Sequence, residues 1–253
     1  MNDTALPECD RSPCVSGSAS RELAAELNRT CFCISLDRQG LADAMRKASR
    51  DDDFFVRHIE SRPHLFSNLP IFLPRADLES MMATVAAIED VARLPGYREA
   101  AAAWAPSIAR ADHGPRGALM GYDFHLAGDA PRLIEINTNA AGAVLGLNAT
   151  RDLKECCPNS QHLLGRLALT TVRPYLFNEQ QLVDMFRSEY QQRFPARDLQ
   201  SVAIVDENPE AQFFYPEFVL VRDMLRRHGI AAVIAAPEEL TLREHQIFAG
   251  EIR

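Results

Sequence analysis

The stretch Gly121–Asn139 reads GYDFHLAGDAPRLIEINTN, and its pattern predicts an antiparallel β-hairpin. Its central segment, AGDAP at residues 127–131, combines Gly, Asp and Pro, which favour turns. Apolar and polar side chains alternate on both sides of this segment, as expected for strands with one covered face. The register set by such a turn pairs residues across the two strands: Leu126 with Arg132, Phe124 with Ile134, and Tyr122 with Ile136.

The alternation divides the hairpin into two faces. The apolar face consists of Tyr122, Phe124, Ile134 and Ile136. The opposite face consists of Gly121, Asp123, His125, Leu133, Glu135 and Asn137. On this second face we expect Asp123 directly opposite Glu135, with Asn137 one step further along.

The facing carboxylates of Asp123 and Glu135 indicate a cation site. Like charges directly opposite each other are destabilising unless a cation or a proton lies between them. Asp, Glu and Asn supply the oxygen ligands that Mg²⁺ prefers, and a metal held there can bridge phosphates during phosphoryl transfer. The small residues of NTNAAGA favour close approach of a ligand to the backbone, or equally a packing role. The alternative is an ordinary hairpin whose acidic face is solvated.

The bulk composition narrows the class of protein. The chain has 253 residues and a formal net charge of -8, which argues against a broad nucleic-acid surface. It has no apolar run long enough for a membrane span, and its N-terminus lacks a secretory signal pattern, so we expect a cytoplasmic protein. The cysteines lack zinc-site spacing and are expected to be reduced and structural: Cys9, Cys14, Cys31, Cys33, Cys156 and Cys157.

The pattern along the chain predicts an α/β protein in three parts: a disordered tail over residues 1–30, an α+β portion over 31–195 that carries the hairpin, and an incomplete Rossmann-like domain over 196–253. Ser20 is a candidate cap for a short helix through Asn28. Strands are expected at 31–35 and 66–74. Helices are expected at 41–48, 77–92, 97–105, 160–175 and 178–193.

The last part begins with the apolar strand SVAIVDE, followed by the helix PEFVLVRDMLRRHG and the strand IAAVIAA. Gly229 is expected to end the helix. Continuously apolar strands around a helix predict a βαβ unit with parallel strands. The final QIFAGEIR is expected to be a strand whose partner is missing.

These features resemble the ATP-grasp superfamily. LIEINTNAAGA, preceded by YDF on the other strand, is similar to that family's metal-binding signature, in which an acid and an E-x-N motif hold the magnesium ions of ATP. The order of the parts resembles the circularly permuted, glutathionylspermidine synthetase-like branch, whose Rossmann-like pre-ATP-grasp domain follows the metal strands. The resemblance covers about residues 31–253.

The resemblance implies a set of roles. Asp123, Glu135 and Asn137 would be Mg²⁺ ligands, and Asn139 would contact ATP. The branch often has an arginine two residues before the metal Asp; Gly121 stands there, so Arg116 is the candidate substitute. The implied reaction phosphorylates a small carboxylate with ATP and passes the acyl phosphate to an amine or thiol substrate.

The sequence departs from the family after residue 200. It contains just two lysines, Lys47 and Lys154, and shows no glycine-rich loop in that region. We therefore expect a truncated or split family member that carries the metal strands without the lysines that clamp ATP. Two alternatives stay open: a relic or binding module with the ATP-grasp fold but no catalysis, and a magnesium-dependent phosphohydrolase.

Overall fold

The computed structural model describes residues 17–30, 34–49, 51–62, 64–126, 130–151, 153–155, 178–244, 246–250 and 252, and these form a mixed α/β protein. The α-helices are α1 (Gly17–Thr30), α2 (Arg38–Ser49), α3 (Arg75–Arg93), α4 (Pro95–Trp104), α5 (Ala143–Arg151), α6 (Glu179–Arg193) and α7 (Tyr215–Arg227). A π-helix spans Phe55–Glu60, and short 3-10 helices span Ser107–Arg110, Pro209–Ala211 and Pro237–Glu239. The strands are β1 (Ile34–Leu36), β2 (Met120–His125), β3 (Arg132–Thr138), β4 (Leu153–Glu155), β5 (Ser201–Val205), β6 (Ala231–Ala235), β7 (Leu240–Arg243) and β8 (Gln246–Ala249).

Helix α1 corrects the predicted extent of the N-terminal tail. Residues 17–30 are helical, so the prediction of disorder to residue 30 is wrong for them. A helix is present where one was expected, but it begins at Gly17, so Ser20 lies inside the helix and is not its cap. Arg21 forms an ion pair with the buried Asp77 of α3: Nη2 and Nε donate to Oδ1 at 2.6 and 2.9 Å, and Nε also donates to Oδ2 at 3.2 Å. These long-range contacts fix the helix against the rest of the chain.

The predicted strand at 66–74 is absent, because this stretch follows an irregular path. Pro70 and Pro74 have no backbone N–H to donate to a ladder. The backbone of Phe72 pairs instead with the side chain of Asn28, whose Oδ1 accepts at 2.7 Å and whose Nδ2 donates at 3.0 Å. An asparagine from α1 thus takes the hydrogen bonds that a neighbouring strand would have taken.

The helices expected at 41–48, 77–92, 97–105 and 178–193 are confirmed as α2, α3, α4 and α6. The break between α3 and α4 falls at Leu94, which is extended because it precedes Pro95, and not at Gly96 as predicted. Asn178 and Gln181 form a capping box at the start of α6. The helix expected at 160–175, residues 31–33 of the first strand and all six cysteines lie outside the described residues.

The predicted βαβ unit is confirmed. Strands β5 and β6 pair in parallel from Ser201 opposite Ala231 to Val205 opposite Ala235, and α7 connects them. Gly229 has φ +78°, the left-handed conformation expected for the residue that ends a helix.

Strand β8 corrects the expectation for QIFAGEIR. It does have a partner, since Leu240–Arg243 pairs with it antiparallel from Leu240 opposite Ala249 to Arg243 opposite Gln246. Strand β7 has the four-residue sequence LTLR, which is too short to show a clear alternation of apolar and polar residues.

One cluster of buried side chains joins the two parts predicted to meet at residue 196. It includes Met45 and Phe54 from the first part and Leu220, Met224 and Leu225 from α7. The buried core thus contains side chains from both sides of residue 196. A domain boundary at residue 196 stays a prediction. Among the described helices, none combines the length and apolar character needed to cross a membrane.

Candidate functional site

The hairpin β2–β3 has the predicted register at its base and a different one near its tip. Tyr122 lies opposite Ile136, Asp123 opposite Glu135, and Gly121 opposite Asn137. The pairs predicted further along are wrong, because Phe124 lies opposite Leu133 and His125 opposite Arg132. The facing carboxylates on which the metal interpretation depends are in the part of the register that is confirmed.

A β-bulge between Asp123 and Phe124 accounts for the difference. The extra residue is Ile134, which has no paired partner on β2 and is 68% exposed. Such an insertion exchanges the faces of the residues beyond it. Leu133 therefore joins the apolar face in the place predicted for Ile134, and it is half-buried like its partner Phe124.

The carboxylate face is open to solvent. Asp123, Glu135 and Asn137 are all exposed, as is His125 further along the same face. Within the described part of the chain, no three His, Cys, Asp or Glu side chains come close enough to hold a metal ion. A cation between Asp123 and Glu135 would thus take its remaining ligands from the Asn137 amide, water or a bound phosphate, which is the mixed shell that Mg²⁺ favours.

The base of the hairpin is closely packed around Gly121. The chain returns past it after β3, and the backbone N–H of Ala140 donates to the carbonyl of Leu119 at 2.9 Å. A Cβ at position 121 would lie only 3.1 Å from the Cβ of Ala140. A side chain at position 121 would therefore require Ala140 to shift by a few tenths of an ångström. Asn139 forms the turn with φ +54°, a conformation that Asn tolerates well, and lies exposed beside the carboxylate face.

The chain entering β2 is fixed by a carboxylate from α6. Oε2 of Glu189 accepts hydrogen bonds from the backbone N–H of Arg116 at 2.6 Å and of Gly117 at 3.0 Å. Gln192 donates to the other oxygen of Glu189 at 2.7 Å and holds it in place. We call this contact the entry clamp.

The chain leaving β3 is fixed by a second carboxylate, from α7. Glu217 is 2% exposed, and its two oxygens accept from the N–H groups of Val144 and Leu145, each at 2.9 Å. The carboxylate therefore caps the N-terminus of α5, where the helix dipole favours negative charge. Burial raises the pKa of Glu217, and the backbone N–H groups around it oppose this shift. We call this contact the exit clamp.

The apolar face of the hairpin contacts α3 through Tyr122. The hydroxyl of Tyr122 donates a hydrogen bond to the Glu89 carboxylate, and this bond together with burial raises the pKa of Tyr122 to about 12. Glu89 also lines a cleft of about 630 Å³ together with Arg93, Arg98 and Arg116.

Arg116 therefore lies in a cleft whose lining includes none of Asp123, Glu135 and Asn137. Its backbone takes part in the entry clamp, and its guanidinium has no partner among the described residues. The structure brings the three candidate metal ligands together on one face, but it does not bring the Arg116 side chain to them. The catalytic role of Arg116 stays a prediction.

Comparison of the chain with models of protein families, with curated proteins and with solved structures finds no match.

The sequence interpretation missed the two clamping glutamates. Glu217 follows Pro216 in the first turn of α7, where an acid already has a local role in favouring the helix. Glu189 lies on the polar side of α6 among other charged residues. Each contacts backbone more than 70 residues away, a separation of 73 for Arg116–Glu189 and for Val144–Glu217, so no local pattern marks them.

Proposed function

We propose that the hairpin β2–β3 binds Mg²⁺ through Asp123, Glu135 and Asn137, and that the protein is an ATP-dependent ligase of the ATP-grasp type. The observation that carries the proposal is the pairing of Asp123 directly opposite Glu135. Two ionised carboxylates in these positions repel each other, and a divalent cation between them turns the repulsion into ligation.

The exposure of these side chains supports a metal that is shared with a ligand. Mg²⁺ loses its water reluctantly and is usually bound by one or two carboxylates, several waters and substrate phosphates. An open face with Asp123, Glu135 and the amide of Asn137 fits such a shell. In this proposal Asn139, which directly follows β3, would contact the nucleotide that supplies the phosphates.

We further propose that the last part of the chain, from residue 196, is a Rossmann-like domain. The β5–α7–β6 unit with parallel strands supports a Rossmann-like domain after the metal hairpin, in the order of the permuted ATP-grasp branch. In this proposal ATP phosphorylates a small carboxylate, and an amine or thiol then displaces the phosphate from the acyl phosphate. Mg²⁺ would neutralise the charge that develops on the transferred phosphoryl group.

The test is titration calorimetry with MgCl₂, and then with ATP in the presence of Mg²⁺, on the wild-type chain and three variants. Loss of a residue that only supports a metal ligand typically weakens metal binding by about 10- to 100-fold. Because D123N and E135Q each change a ligand itself, we expect a larger loss of Mg²⁺ affinity in both variants. The matched control is E79Q, which removes an exposed carboxylate from α3. Equal Mg²⁺ affinity in all four proteins would show that the hairpin is not the site.

The ATP titration distinguishes the alternatives. A Mg²⁺-dependent ATP signal that D123N abolishes supports the nucleotide site, whereas Mg²⁺ binding without any ATP signal favours a binding module. Release of phosphate from a simple phosphate ester, without ATP, would instead favour the phosphohydrolase.

A further inference from the structure

The cleft behind the hairpin is lined by arginines from separate parts of the chain. Arg93 comes from α3, Arg98 from α4 and Arg116 from the segment that enters β2. At about 630 Å³ the cleft has the size of an ordinary small-molecule site. The lining carries three guanidinium groups against two carboxylates, Glu89 and Asp112, so it is net positive in a protein with a net charge of -8.

The Arg116 guanidinium is the most available of the three. It has no partner among the described residues, although its own backbone is held by the entry clamp. The neighbouring Gly114 packs tightly on the end of α6, where an added Cβ would lie 3.2 Å from the carbonyl oxygen of Gln192. The loop that carries Arg116 is thus fixed while the charged end of the side chain is unpaired.

Arg98 is paired with the exposed Asp112, and Arg93 is paired with the exposed Asp90 and the half-buried Glu89. Arg98 contacts Asp112 at 3.2 Å, and Arg93 contacts Asp90 at 3.0 Å and Glu89 at 3.5 Å. Solvent-exposed ion pairs of this kind contribute little to stability, so a ligand can replace them at small cost. The charge of Glu89 is further engaged by the Tyr122 hydroxyl.

We propose that this cleft binds a small polyanion, a ligand that carries at least two carboxylate or phosphate groups. Guanidinium groups bind both groups in a bidentate, planar manner. Arg116 would take one anionic group, and Arg98 would take a second by exchanging Asp112 for the ligand. Arg93, at the α3 side, would add a third positive charge.

The polyanion site is separate from the proposed metal site. Tyr122 reaches the cleft residue Glu89, and consecutive residues of a strand point to opposite faces, so the cleft lies behind the face that carries Asp123. The inference does not depend on Mg²⁺ binding, and the two proposals can fail separately.

The first experiment is calorimetry at low ionic strength in buffer freed of divalent cations, with citrate, pyrophosphate and acetate as probes. We expect citrate or pyrophosphate to bind at least about tenfold more tightly than acetate, because only a polyanion can engage two guanidiniums at once. The stronger of the two probes identifies the ligand as a carboxylate or a phosphate compound.

R98Q and R116Q should each weaken binding by about tenfold, the loss of one charged contact. R132Q is the matched control, since Arg132 is exposed on the hairpin and does not line the cleft.

The second experiment looks for a gain of affinity. D112N removes the carboxylate that competes for Arg98 and should tighten binding several-fold. D43N changes the protein's charge equally by breaking the exposed Asp43–Arg46 pair on α2, and it should have no such effect. The proposal is overturned if acetate binds as well as the polyanions, if R98Q and R116Q bind like R132Q, or if D112N and D43N behave alike.

Discussion

The carboxylates of the hairpin and the carboxylate of Glu217 show two opposite solutions for an acidic side chain. Asp123 and Glu135 face each other in solvent and accept no hydrogen bond from any described residue. Glu217 is buried, and its oxygens are used by the backbone of α5. The same functional group is therefore open to a ligand in one place and saturated by the protein in the other.

This difference separates a candidate site from a structural contact. Desolvation alone does not mark a functional carboxylate, because burial raises the pKa of Glu217 in a place where no ligand can enter. Asp123 and Glu135 differ from Glu217 because they have no hydrogen-bond partner among the described residues and face each other, so that a cation would relieve their mutual repulsion.

The largest effect is expected from E217A. Removal of the carboxylate leaves the buried N–H groups of Val144 and Leu145 without an acceptor, which should lower the free energy of unfolding by about 3 kcal/mol. Urea denaturation measures this loss. The control E79A removes an exposed carboxylate and should stay within about 0.5 kcal/mol of wild type. A similar small change in E217A would contradict the structural role of the exit clamp.

A smaller effect is expected in the pH dependence of E217Q. Because burial raises the pKa of Glu217, the folded state holds the proton more tightly than the unfolded state does. Ionisation therefore costs stability as the pH rises above the usual range of a glutamate towards the raised value. The stability of wild type relative to E217Q should fall over that interval, by at most about 1.4 kcal/mol per pH unit.

Guanidinium chloride titrations of both proteins across the interval test the sign of this dependence. A difference that is constant, or that moves in favour of wild type as the pH rises, would show that the N–H groups outweigh burial.

The smallest effect is expected at the hairpin in the absence of metal. D123N and E135Q each remove one of two facing charges and should raise the free energy of unfolding by about 0.2 to 1 kcal/mol. Added MgCl₂ should then stabilise wild type and not the variants, as thermal denaturation can show. Stabilisation of D123N by Mg²⁺ equal to that of wild type would place the cation elsewhere.

The sequence predicted the carboxylate face of the hairpin because alternation along a strand is a local property. The turn residues and the apolar pattern determine which residues of β2 and β3 share a face, and Asp123 was correctly paired with Glu135. The bulge at Ile134 was not predicted. Leu133 and Ile134 are both apolar, so the sequence fits the apolar face equally well with either residue in that place.

The features that depend on distant contacts were not predictable in the same way. The strand expected at 66–74 is absent, and the side chain of Asn28 in α1 hydrogen-bonds to the backbone N–H and carbonyl of Phe72 instead. No pattern within residues 66–74 reveals this contact. The arginine cleft and the clamps likewise depend on which segments meet in the folded chain. The βαβ unit was predicted well, because apolar strands around an amphipathic helix carry their own signal.

The two clamps form only after the hairpin itself has been synthesised. Each joins a flank of the hairpin to a glutamate 73 residues later in the chain. At a synthesis rate of about 5–20 residues per second, each flank is translated about 4 to 15 seconds before the residue that fixes it. A ribosome pausing shortly after codon 138 would thus carry a nascent chain with both strands of the hairpin complete and neither end yet anchored.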